Sequence, residues 1–246
     1  MREIPNTALS KRRHMHTAVS SMARFLFEQV PDTLTHEAYT RIKMLYPKKP
    51  RSYEPEQHLL YEEDIPQVFA GIQRCYPQDP AKIQLMKTLI TVLLETGLRV
   101  AELVTLTQPQ MRFGEARQHP FITVKGKGAK VRKIPFSRAA QTAMKDYLNA
   151  CQSPDLGQVF TVYHKARNEW ATVKRDWVVR EVAKVSRAAG IKFTAHSFRH
   201  YRITQWANNP RIPLNAVRLW AGHSSVTVTE RYIHTRDEDA LAAAIG

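Results

Sequence analysis

The stretch TAHSFRHYRITQWANNPRIPLNAVRLWAGHSSVTVTERYIHTR, residues 194–236, decides how this chain is read. Its first part predicts a helix. Thr194 is placed to cap it, Phe198, Tyr201 and Ile203 to Trp206 supply apolar positions, and Asn208-Asn209-Pro210 stops it. Residues three and four apart share a helix face, so His196, Arg199 and His200 can converge on one ligand. A second short helix is expected from Pro213 to Ala221, ending at Gly222, with His223 at the following corner. A third is expected to begin near Ser225 or Thr227, where Thr227-Val228-Thr229-Glu230 forms a candidate capping box, and to present Tyr232.

Those residue types suit chemistry on a phosphate. Arginine offers paired planar donors, imidazole hydrogen-bonds or moves a proton near neutral pH, and a tyrosine can act as a covalent nucleophile. The competing reading is a zinc site made of His196, His200 and His223. Position 197 is serine where a metalloprotease helix carries glutamate, and no carboxylate ligand stands nearby, so no metal and no cofactor are predicted.

The 246 residues carry a net charge of +15, an excess that favours a polyanionic partner such as nucleic acid. An anionic membrane surface is the weaker alternative: no apolar run approaches the roughly 18 residues that a span requires, and Met1 to Pro5 opens without a signal-peptide core. Two cysteines, Cys75 and Cys151, suit a reducing compartment better than a disulfide scaffold.

Around the opening stretch the chain divides into a short helical region, 1–60, and a larger unit, 61–246. In the first, Val19, Met22, Phe25, Leu26 and Val30 fall at helical spacing, a second helix is expected over Thr35 to Leu45, and Tyr46 to Pro55 reads as a linker. In the second, Ala81 to Glu95 is apolar on most faces and predicts a central buried helix. Thr96-Gly97 interrupts it, and Leu98-Arg99-Val100-Ala101-Glu102-Leu103 opens the next helix. Glu102, one turn after Arg99, either holds that arginine or caps the helix by its charge.

Phe121 to Phe136, FITVKGKGAKVRKIPF, reads as a β-hairpin carrying Lys125, Lys127, Lys130, Arg132 and Lys133 without one acid. Its charges either keep the hairpin edge soluble or bind DNA phosphates. A helix over Ser137 to Cys151, a short strand over Val159 to Tyr163 and a helix over Thr172 to Ala189 follow, the last carrying Lys174, Arg175, Arg180, Lys184 and Arg187. A small apolar helix over Ala240 to Ile245 is expected to end the chain.

Taken together, Thr96-Gly97-Leu98-Arg99-x-x-Glu102-Leu103, His196-x-x-Arg199-His200, Ala221-Gly222-His223 and Thr229-x-x-Tyr232 resemble the signature of the tyrosine recombinases, the phage-integrase and Xer-like family. The resemblance implies a mainly α fold with a small β-hairpin or sheet, an α+β catalytic domain, preceded here by a shortened helical core-binding region. It implies Arg99, Lys127, His196, Arg199, His223 and Tyr232 as catalytic residues, with Glu102 and His200 in support. Lys127 is the first lysine of the Gly-Lys-Gly turn; Lys125 and Lys130 are its neighbours in sequence and, with Arg132 and Lys133, candidate DNA contacts. The implied partner is double-stranded DNA bearing a specific recombination site, with a dimer on each site and a tetramer in the synapse, in the cytoplasm at the nucleoid. The C-terminal helix docks in cis or on a neighbouring protomer. Two rival readings use the same residues: a type IB topoisomerase, which needs no defined target, and a DNA-binding regulator, which binds without covalent capture.

Overall fold

The computed structural model describes residues 19, 21–30, 33–44, 59–114, 119–126, 131–164, 166–223 and 229. The chain divides after Glu56 into two compact units. In the first, residues 21–29 are helical and precede α1 (His36–Met44). The helical spacing expected around Val19 to Val30 is present, but the apolar stripe faces outward: Val19, Met22, Phe25 and Val30 are exposed and Ala23 is buried. The contact to α1 is made instead by Phe27, whose ring stacks on Tyr39 at 4.7 Å.

The second unit is built around α3 (Pro80–Thr96). Pro80 sits in its first turn, where the missing N–H costs nothing, and the Asp79 side chain accepts from Lys82 N. Met86, Leu89, Ile90 and Leu93 are fully buried. At about 1.5–3 kcal/mol for each such side chain, this helix organises the core. It lies against α5 (Arg138–Ala150) and α7 (Ala195–Asn208), while α2 (Ile65–Cys75) packs on α6 (Arg175–Ala189). That last approach is close: a Cβ on Gly71 would lie 2.9 Å from both the Ala189 Cβ and the Val185 carbonyl oxygen.

The basic hairpin is the middle and one edge of a three-stranded antiparallel sheet in the order β1 (Met111–Arg112), β2 (Phe121–Lys125), β3 (Val131–Pro135). Met111 pairs with Ile122 and Ile122 with Ile134, so three buried side chains cross the sheet in one row. The two-residue β1 carried no readable alternation and was not expected. A second hairpin, β4 (Thr161–His164) with β5 (Glu169–Thr172), replaces the expected start of a helix at Thr172. Because Thr172 pairs with Thr161, α6 begins only at Arg175. Among the described residues no helix is long and apolar enough to cross a membrane.

Candidate active site

α7 starts as its sequence predicts: the Thr194 side chain accepts from His196 N, and Ser197 Oγ accepts from Thr194 N. One turn on, Phe198 packs into the core and carries Arg199 inward with it, to 3% exposure. A buried guanidinium needs acceptors. Arg199 donates from Nη1 to the Gly97 carbonyl at 2.6 Å and from Nη2 to the Ala221 carbonyl at 2.5 Å. Both carbonyls belong to helix C-termini, where the last C=O groups lack intrahelical partners and carry partial negative charge. Gly97 (φ 60°) ends α3 and Gly222 (φ 65°) ends α8 (Leu214–Ala221), both in the left-handed region that favours glycine.

Three arginines meet three consecutive carbonyls at the end of α8. Arg132 donates from Nε to Trp220 O at 2.9 Å, Arg199 reaches Ala221 O, and Arg99 donates from Nη2 to Gly222 O at 3.3 Å. Glu102 balances the cluster. Its Oε1 accepts from Arg99 Nη1 at 3.0 Å, and its Oε2 accepts from Arg99 N at 2.9 Å and Arg132 Nη2 at 2.8 Å. Burial pushes the Glu102 carboxyl up, but the Arg132 and Arg99 hydrogen bonds and their charges outweigh it and hold it below the ordinary carboxylate value. Glu102 therefore both holds Arg99 and caps the helix start, combining the two roles its position allowed. Arg99 keeps 43% of its side chain exposed, so one face of its guanidinium can meet a ligand.

The imidazoles stand beside this cluster. His223 lies 3.4 Å from Arg199 Nη2 through Nε2 and 3.0 Å from Thr229 Oγ1 through Nδ1. A guanidinium only donates, so Nε2 accepts and Nδ1 carries the proton given to Thr229. Thr229, helical and fully buried, orients His223 and was not singled out in the sequence as a site residue. The signal was its place three residues before Tyr232, in Thr229-x-x-Tyr232. His196 and His200 meet edge to face at 4.8 Å. All three imidazoles are pushed down: His200 to about 4 by burial, then His196 and Arg199; His223 to about 4 by burial, then Arg199, Arg99, His200 and Arg132; and His196 downward by burial, then Arg199 and Arg99.

A folded-state pKa below the unfolded 6.5 means that the unfolded chain binds more protons as pH falls. Stability is thus expected to be full above 6.5 and to decline as pH drops toward about 4. Denaturant midpoints measured across that window will show the decline, and His200→Asn will flatten it. An unchanged profile in that variant would remove His200 as a source.

The other expected site residues are distributed differently. Lys125 and Lys133 are exposed on the outer face of the hairpin, with Lys133 Nζ 4.3 Å from the centre of the Phe121 ring. Arg132, expected beside them as a DNA contact, turns inward with 12% of its side chain exposed. Register explains it: Arg132 pairs with Val124 and stands two residues from Ile134, on the core face of the strand. Lys127, Lys130 and Tyr232, the helix expected after Ser225 apart from Thr229, and the helix expected over Ala240 to Ile245 lie outside the described residues. Among the described residues no three His, Cys, Asp or Glu side chains group as a metal ion would require.

A helical core on α3, a three-stranded sheet bearing a basic hairpin and an arginine pair at a helix C-terminus together define a mainly α domain with small antiparallel sheets. The chain belongs to the phage integrase family, whose profile matches residues 58–239. It is 31% identical over 152 residues to the tyrosine recombinase XerD of Shewanella oneidensis, covering 60% of this chain and 48% of that protein. It is 26% identical over 242 residues to the tyrosine recombinase XerC of Pediococcus pentosaceus, covering 96% of this chain and 74% of that one. The crystal structure of the XerH site-specific recombinase, bound to palindromic difH substrate in a post-cleavage complex, matches with a TM-score of 0.59 at 20% identity. That match covers 76% of this chain and 52% of XerH and shows the shared fold. The chain spans about half the length of the first curated relatives it matches.

Proposed function

We propose that this chain is a site-specific DNA recombinase that cuts and rejoins strands through a covalent 3′-phosphotyrosine. The observation that carries the reading is the convergence of Arg99 and Arg199, 100 positions apart, on adjacent carbonyls at the His223 corner. Arg99 and Arg199 bind the two non-bridging oxygens of the scissile phosphodiester and offset the charge that builds at phosphorus. Tyr232 attacks in line, forming the phosphotyrosine bond as the bond to the 5′ oxygen breaks. A phenol with a pKa of ~10 is protonated at neutral pH and needs an acceptor. His196, held neutral by burial and two guanidinium charges, is suited to take that proton. Lys127 protonates the leaving 5′ oxygen, and His223 donates to the phosphate from Nε2 in the tautomer whose Nδ1 accepts from the Thr229 hydroxyl. Attack by the 5′ hydroxyl of a second strand reverses the step and joins new partners, so the bond energy is conserved.

The partner is double-stranded DNA with a defined site, bound by two protomers and brought together with a second site in a tetramer. Exposed Lys125 and Lys133 favour phosphate binding at the hairpin. Residues 1–60 act as part of a core-binding region, and the protein works at the nucleoid.

The test uses nicked, end-labelled duplexes covering the DNA beside the protein's own coding region, analysed on denaturing gels. Wild type is expected to yield a covalent adduct that maps to Tyr232 by peptide mass spectrometry, and Tyr232→Phe is expected to yield none while still binding. An equal adduct in Tyr232→Phe would displace this nucleophile. Specific binding without an adduct would replace the enzyme by a regulator.

A further inference from the structure

One guanidinium in the site is attached to nothing in the chemistry above. Arg132 joins three segments far apart in sequence: its own strand β3, Glu102 at the start of the helix after Arg99, and Trp220 at the end of α8. Its packing is tight, since a Cβ on Gly222 would lie 3.1 Å from both Cζ and Nε of Arg132. The side chains of Arg132 and Glu102 are 12% and 10% exposed. The contact is therefore part of the interior, unlike the lysines on the outer face of the same hairpin.

We propose that Arg132 is a positioning residue for the phosphate clamp, setting the geometry of Arg99 without touching DNA. This rests on the recombinase reading above. Glu102 divides its two oxygens between Arg99 and Arg132. With Arg132 gone, the carboxylate would have Arg99 as its remaining ionic partner and would close on it in a paired, two-oxygen geometry, drawing the guanidinium away from the phosphate. The Trp220 carbonyl would lose its donor at the same time, loosening the corner whose next two carbonyls hold Arg199 and Arg99. The segment that carries Lys127 lies between Gly126 and Val131, so an anchor at Arg132 also fixes the strand from which that lysine is delivered.

A residue of this kind changes the rate of the bound complex, whereas a phosphate contact changes affinity and its salt dependence. Arg132→Met and Arg132→Gln are compared with wild type on the nicked duplex described above, at saturating protein and at a temperature where circular dichroism shows all three folded. Glutamine still reaches the Trp220 carbonyl but brings no charge to Glu102, so it serves if methionine does not fold. Adduct formation is expected to slow by about 10–100-fold, as for a displacement of about 1 Å in a catalytic group. DNA affinity is expected to change by less than about threefold, with the slope of affinity against salt unaltered. A slope reduced by about 1, with normal cleavage of the saturated complex, makes Arg132 a phosphate contact and overturns the proposal. Unchanged cleavage and affinity also overturn it. If wild type forms no adduct, the recombinase reading fails separately, and the Arg99 Nε–Hε resonance decides the positioning. Identified by its loss in Arg99→Lys, it shifts in Arg132→Gln if Arg132 sets Arg99 and stays in place if it does not.

Discussion

Arg199→Lys is expected to keep the protein folded and to slow covalent cleavage of DNA by about 10²–10³-fold, the loss typical of removing one preorganised donor to a developing anion. The reason lies in what the guanidinium spans. Arg199 ties Gly97 O to Ala221 O and lies beside His223, all from a position 3% exposed. A lysine ammonium is a single point at the end of a flexible stem and cannot bond both carbonyls and a phosphate in one plane. It does keep a charge and a donor in place, so the helix ends are not left bare. Arg199→Ala leaves both buried carbonyls without that donor, at about 1–3 kcal/mol each, and its activity loss will be mixed with unfolding. Melting temperature and single-turnover adduct formation, measured together on both variants, separate the two effects. Cleavage by Arg199→Lys within about threefold of wild type would show that Arg199 is structural alone.

That dual character marks the boundary of what the residues reveal before folding. The helix, the cap at Thr194 and the glycine stops at Gly97 and Gly222 are local events, set by residues within a turn of one another, and they stand where the sequence places them. The resemblance to the family signature was what named Arg99, Arg199 and His223 together. What they converge on is not local: the shared feature is the row of carbonyls at the end of α8, and a carbonyl carries no sequence signature. Arg132 was legible by parity, since it shares the strand face of Ile134, but a basic run without one acid was read as facing outward throughout, whether to water or to DNA. The β1 and β5 strands were hidden for a different reason. A pairing two or four residues long takes its stability from its neighbour and leaves too short a pattern to read.

Glu181 is the clearest such case and carries the second large expectation. It occupies the apolar stripe of α6 beside Val178, Val182 and Val185, and it is 3% exposed. An acid there must be paired. Its carboxylate takes Lys82 Nζ at 2.7 Å, Lys184 Nζ at 2.7 Å and the Tyr76 hydroxyl at 2.5 Å. Burial pushes the carboxyl up, yet the hydrogen bonds of Lys184, Lys82 and Tyr76 outweigh it and hold it at about 2, while burial and the carboxylate raise the Tyr76 phenol. Glu181→Ala strands that phenol and leaves Lys82 over the Tyr76 and Trp177 rings without its counter-ion. The expected cost is about 3 kcal/mol, the low end for a broken buried pair because both lysines reach water. For a unit of this size the melting temperature should fall by about 6–12 °C. Glu181→Gln, which keeps an acceptor for Tyr76, should lose less. Glu181→Leu combined with Lys82→Met should recover much of the loss, because an apolar replacement of a whole buried pair is often near neutral. The folded carboxyl titrates below its unfolded value of 4.5, so its contribution is present above 4.5 and is lost only as pH falls toward about 2. It therefore leaves the histidine-driven decline between 6.5 and about 4 intact. The cluster ties Tyr76, just past α2, and Lys82 of α3 to α6, and the hydrogen bonds and ion pairs of Glu181 go to Tyr76, Lys82 and Lys184, so DNA cleavage per folded molecule should match wild type. A Glu181→Ala protein that melts with wild type, or whose folded molecules cleave poorly, would reverse the assignment of this carboxylate to the core.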